Sequence, residues 1–141
     1  MTRDDWEPIF VLHKRPLQLT YPWHFVCEIT GDWTLLRLTA DGEWSCLGDA
    51  VRPCGTNGHV DLPLQQDHLL ISASAPGALI GKFGGSIASR TDGSPFAIGS
   101  QCFVAAPDKK SAQLYIGING AVPRASQLTW LALEICGVVD P

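Results

Sequence analysis

The feature that most limits what this chain can fold into is alternation with a period of two. From Gln113, the residues Leu114, Ile116 and Ile118 fall on one side, and Gln113, Tyr115 and Gly117 on the other. Further on, Leu131, Leu133 and Ile135 share a side, with Trp130 and Glu134 opposite. Successive side chains of a β-strand point to opposite faces, so this pattern predicts half-buried strands. Shorter apolar segments at Gly77–Gly85, Pro95–Ser100 and Phe103–Pro107 are bounded by Gly, Pro, Asp or Ser. No segment carries an apolar stripe at the 3.6-residue helical period. The chain reads as all-β.

The N-terminal half continues the pattern. Trp6 to His13 predicts an opening strand stopped by Arg15-Pro16, with a second attempt from Leu17 to Tyr21 broken by Pro22. Proline cannot donate to a sheet ladder, so it favours edges and strand starts. Trp23 to Thr30 alternates, placing Trp23, Phe25, Cys27 and Ile29 opposite His24, Val26 and Glu28. Gly31-Asp32 reads as a turn and Trp33 to Thr39 as the next strand. Asp41-Gly42 is the strongest hairpin signal in the chain, because type I′ turns need positive φ at both central residues. Its return strand would be Glu43 to Leu47. Gly48 to Gln66 has no sustained period and is expected to be a long surface loop. His68 to Ala73 returns to strand, and Ala121 to Gln127 is a further loop. About ten short strands with regular turns predict a sandwich or barrel. With 141 residues and no shift of composition, residues 1–141 are expected to form one domain.

Charge and composition exclude several functions. The net charge is −4 with no basic run longer than Lys14-Arg15 or Lys109-Lys110, which argues against nucleic acid or an anionic membrane as partner. There is no apolar run near the ~18 residues of a membrane span and no charged-then-apolar leader, so a cytoplasmic protein is expected. Five cysteines at irregular spacing, an odd number, fit reduced thiols better than a disulfide framework. Cys46 and Cys54 are near enough in sequence for a loop disulfide, but a cytosolic address would keep them reduced.

The order of segments in the second half carries a resemblance. A Gly-framed strand (Gly77-Ala78-Leu79-Ile80-Gly81) precedes a Pro95-Phe96 start and a strand ending in Ala105-Ala106-Pro107. A Leu114-Tyr115-Ile116 strand ending at Asn119 and a closing strand follow. This order resembles the galactose-binding PA-I lectin family of bacteria, most clearly over the last half of the chain. The resemblance implies an antiparallel β-sandwich of jelly-roll, galactose-binding-like type, with a core over about residues 23–137, and a tendency to self-associate. In that family a calcium ion holds the sugar through oxygen ligands in the loop after the Leu-Tyr strand. This chain keeps Asn119, but Gly120 stands where the family has Asp. Arg124-Ala125-Ser126-Gln127-Leu128 offers no Asn and brings a positive charge. The calcium ligand pattern is degenerate, and no metal or cofactor is expected. The family's second sugar-contact stretch corresponds to Leu64-Gln65-Gln66-Asp67, flanked by His59 and His68.

Candidate ligand contacts are therefore His59, Gln65, Gln66, Asp67, Asn119, Ser126 and Gln127, with Trp44 as a stacking surface and Trp130 as a second choice. A tryptophan face stacks on the apolar face of a pyranose, but a sandwich also buries tryptophan in its core. Cys46, Cys54, His59 and His68 have zinc-ligand chemistry without zinc-site spacing. No G-x-S-x-G, Walker or H-E-x-x-H motif is present, and Gly81-Lys82-Phe83-Gly84-Gly85-Ser86 lacks the end of a phosphate loop. The expected function is a non-enzymatic, lectin-like carbohydrate-binding module. The alternative is a sandwich that has lost calcium and sugar and serves protein association, as a homo-oligomer or with a partner protein.

Overall fold

The structure, a computed structural model, describes residues 6–20, 23–44, 54–58, 71, 75–84, 94–107, 111–119 and 127–139. Eight strands lie among them: β1 (Glu7–Gln18), β2 (His24–Thr30), β3 (Leu35–Trp44), β4 (Leu79–Phe83), β5 (Phe96–Ala97), β6 (Gln101–Ala105), β7 (Ser111–Ile118) and β8 (Gln127–Val138). They form two four-stranded antiparallel sheets, ordered β1-β8-β3-β6 (sheet A) and β2-β7-β4-β5 (sheet B). Pairing is nested: β1 with β8, β2 with β7, β3 with β6 and β4 with β5. The long strand β8 lies between β1 and β3, and β7 lies between β2 and β4.

The alternation read from the sequence decides which faces meet. Leu36, Leu38, Leu131, Leu133 and Ile135 from sheet A and Leu79, Leu114, Ile116 and Ile118 from sheet B are buried in one cluster. Each such side chain contributes about 1.5–3 kcal/mol relative to exposure, so this shared layer is what holds the sheets face to face. The fold is an all-β sandwich, as expected from the periodicity.

Three local expectations are corrected. β1 does not stop at Arg15-Pro16; it runs on to Gln18 with register shifts between Leu12 and Arg15 and between Arg15 and Leu17. It is an edge strand, where a proline costs no central ladder bond. β2 carries a bulge between Phe25 and Cys27, so its alternation is interrupted: Val26, Cys27 and Ile29 all pack on the core while Phe25 is exposed. Asp41-Gly42 is not a hairpin. β3 continues straight through it, pairing Asp41 with Ala132, Gly42 with Leu131 and Glu43 with Trp130. Gly31, by contrast, sits at φ 116° in the turn expected there.

Candidate functional site

The continuation of β3 fixes the place of Trp44. Residues 36, 38, 40, 42 and 44 share the inward phase, so Trp44 enters the core with no exposed surface. Its Nε1–H donates to the Gly77 carbonyl at 2.8 Å, and its backbone exchanges both hydrogen bonds with Cys54. The expectation of a stacking platform is corrected: neither ring face meets solvent. Asn119 is likewise fully buried. Its carboxamide accepts from the Ile71 N–H at 3.0 Å and donates to the Ile71 and Ala75 carbonyls at 2.9 and 3.3 Å. Both amide hydrogens are spent tying Ile71 and Ala75 to the end of β7, so Asn119 is a structural clasp and not a sugar contact. Gln127 opens β8, with its backbone opposite Gln18. His59, Gln65, Gln66, Asp67 and Ser126 lie outside the described residues.

Burial separates the two outer faces of the sandwich. On sheet B, Trp23, Ile80 and Tyr115 form a second buried cluster with Ile71 against it. Lys82 is buried there too, its Nζ 5.3 Å from the centre of the Trp23 ring. The Trp23 indole N–H has no hydrogen-bond partner among the described residues. Sheet A, in contrast, leaves much of its outer face open. Arg37, Thr39, Asp41 and Glu43 line one side of β3, and Trp130, Ala132 and Glu134 line the adjacent side of β8. Between β1, β3 and β8 runs a shallow groove of about 340 Å³ that includes Val11, His13, Lys14, Thr39, Asp41 and Glu134.

Aromatic rings mark both ends of this face. At one end Lys14 Nζ stands 4.3 Å from the centre of the half-buried Trp130 ring. At the other, Trp6 packs 5.9 Å from Phe103 with the Arg37 guanidinium 5.0 Å from its ring. Phe103, Arg37 and Cys136 lie in one row across β6, β3 and β8. The two aromatic ends are therefore about six residues, or roughly 20 Å, apart along the strands. Trp130 was expected on the face opposite Leu131 and Leu133, and it is there. Trp6, Arg37 and Phe103 come from three distant segments, and only the register brings them together.

Two of the thiols are chemically quiet. Cys27, Cys102 and Cys136 are free. Burial pushes Cys27 and Cys102 up to about 11, so both are protonated and poorly nucleophilic at neutral pH. Among the described residues no group of three or more His, Cys, Asp or Glu side chains is placed to hold a metal, and no helix is long and apolar enough to cross a membrane. No protein-family model matches the chain, and no curated protein matches its sequence.

Proposed function

We propose that this chain is a non-enzymatic, lectin-like binding module whose ligand is a carbohydrate held on the outer face of sheet A. The nested pairing of eight strands in the orders β1-β8-β3-β6 and β2-β7-β4-β5 supports a jelly-roll, galactose-binding-like sandwich, in keeping with the resemblance to the PA-I lectins. One observation carries the functional reading: polar groups of β3 and β8 line a groove, and Lys14 of that groove stands over the ring of Trp130. A pyranose offers an apolar face and a rim of hydroxyls. A partly exposed indole beside Glu43, on the same face as Thr39, Asp41 and Glu134, offers both parts. Calcium has no part in this reading, since the groove's carboxylates sit on strands facing Lys14 and His13.

The test is a glycan array followed by titration of tryptophan fluorescence with the best glycan, in calcium and in EDTA. Trp130→Ala is expected to weaken binding by about tenfold or more, with the melting temperature preserved and no difference between calcium and EDTA. Absence of any glycan ligand, or binding unaffected by Trp130→Ala, would overturn the assignment.

A second reading has its own support. Phe103 is 56% exposed, on an edge strand that contains neither proline nor charge. Such an edge is a template for pairing with another chain. If the module serves association, sedimentation velocity will show a concentration-dependent dimer that Phe103→Lys disperses. A monomer at all concentrations removes self-association from consideration.

A further inference from the structure

The first strands of the two sheets, β1 and β2, form neighbouring edges of the sandwich, and between them a cleft of about 120 Å³ reaches the core. Leu12 and Leu17 supply its wall from sheet A. Val26 and the fully buried Ile116 supply the wall from sheet B. Phe10 and Phe25 complete the apolar lining, and Arg15 and His24 are its ionisable residues. Its opening has a structural cause. β1 slips register on both sides of Arg15, and β2 carries its bulge at Val26, so both edges leave their ladders at the same level. Bulges re-aim side chains and are enriched beside binding sites.

The chemistry of the lining is one-sided. The walls are apolar, four aliphatic side chains with Phe10 and Phe25, and both ionisable residues are basic. The Thr20 N–H donates to His24 Nδ1 at 3.0 Å, which fixes the neutral ring with its hydrogen on Nε2 and makes that nitrogen a donor. Among the described residues, no carboxylate forms an ion pair with Arg15. The volume is somewhat below that of the cavity of about 150 Å³ known to take benzene in another protein. A short hydrocarbon chain fills such a space. A guanidinium pairs with a carboxylate through two parallel hydrogen bonds.

We infer that the β1–β2 cleft is a binding site for a short-chain aliphatic carboxylate, its chain inserted between Leu12, Leu17, Val26 and Ile116 and its anionic head held by Arg15 with help from His24. This site is separate from the sheet A groove and does not depend on the carbohydrate reading. It lies at the sandwich edge, and its ligand differs in both charge and polarity from a sugar.

The test is a titration of the ¹⁵N-labelled full chain with pentanoate at neutral pH, with pentan-1-ol as the uncharged match. Saturable shifts are expected for amides in residues 10–17 and 24–26, with pentanol weaker. Arg15→Gln, at an exposed position, should weaken pentanoate by about tenfold, and Arg15→Lys should recover only part of the loss, because it keeps the charge but not the two parallel hydrogen bonds. Pentanol binding as tightly as pentanoate, no saturable shift with either compound, or equal pentanoate affinity in all three proteins would overturn the assignment.

Discussion

Gly42 gives the sharpest test of how this sandwich is packed. Beside Asp41 it has the signature of a type I′ turn, yet it lies within β3, opposite Leu131, and its φ is not in the left-handed region. Its lack of a side chain serves a close approach instead. A Cβ at this position would stand 2.5 Å from Cζ3 of Trp44 and 2.8 Å from the Trp130 carbonyl oxygen. Neither neighbour yields easily. The Trp44 ring is fully buried and held by its bond to Gly77, and the Trp130 oxygen belongs to the backbone of β8. Overpacking of this kind costs about 1–3 kcal/mol, and two immovable contacts put Gly42→Ala in the upper half of that range. At about 2.1 cal/mol/K per residue, the unfolding entropy of a chain this long is roughly 0.3 kcal/mol/K, so 2–3 kcal/mol lowers the melting temperature by about 7–10 °C. Trp44→Phe removes the outer ring that carries Cζ3. It costs about 2–4 kcal/mol itself, through lost volume and an underpaired Gly77 carbonyl. In that background Gly42→Ala should cost at least about 1 kcal/mol less than in the native protein. Melts of the four proteins measure this coupling. A Gly42→Ala penalty that is absent, or the same in both backgrounds, would show that the indole is not what excludes a side chain there.

Two further perturbations probe the clasp and the cleft. Asn119→Ala strands the Ile71 N–H together with the Ile71 and Ala75 carbonyls, at about 1–3 kcal/mol for each group left buried and unpaired. The melting temperature should fall by about 7 °C or more by the same entropy scale, equally in calcium and in EDTA; a neutral substitution would refute the clasp. His24 is held below its ordinary value of 6.5 by burial. The unfolded chain therefore takes up a proton that the folded chain resists. The stability associated with neutral His24 is present above 6.5 and is lost as pH falls through that value toward the folded pKa. The melting temperature of the native protein should drop more steeply between pH 7.5 and 5.5 than that of His24→Gln, and equal slopes would exclude the residue as a source of the pH dependence.

The parts of the fold legible in the sequence are those where one strand face is buried and the other is not. Leu114, Ile116 and Ile118, and then Leu131, Leu133 and Ile135, announce their inward phase because an antiparallel sandwich imposes that asymmetry on central strands. Punctuation residues were less faithful. Pro16 does not end β1, because β1 is an edge, and marks only the register shift between Arg15 and Leu17. Gly42 marks no turn because it makes room for an indole two residues on. That second misreading carried Trp44 with it: a hairpin at 41–42 would have released Trp44 from the inward phase of Leu36 and Leu38, and the continuous strand does not. Asn119 looked like a ligand because its amide suits hydroxyls, but the same donors and acceptor suit the backbone of Ile71 and Ala75. No local pattern could have joined Trp6, Arg37 and Phe103, which meet only through the pairing of β3 with β6 and with β8. The cleft needed register as well, since it arises from two ladder slips in different sheets.

The contrast between the two outer faces narrows where a ligand can act. Tyr115 and Lys82 sit opposite each other on β7 and β4, and on a bare sheet both would meet water. They are 7% and 1% exposed, so the outer face of sheet B is covered there. Thr39, Asp41, Glu43 and Glu134 occupy corresponding positions on sheet A and remain at least partly accessible. On the two proposals, a large ligand would take the sheet A face, and a small aliphatic anion the β1–β2 edge where the core itself opens. Trp130 and Arg15 report on these two places separately. Trp130 lies in the outward phase of β8, whereas Arg15 is paired opposite Leu131, in the inward phase, at the level where β1 leaves its ladder. Loss of glycan binding in Trp130→Ala with pentanoate binding retained, and the reverse in Arg15→Gln, is the pattern that two independent sites require.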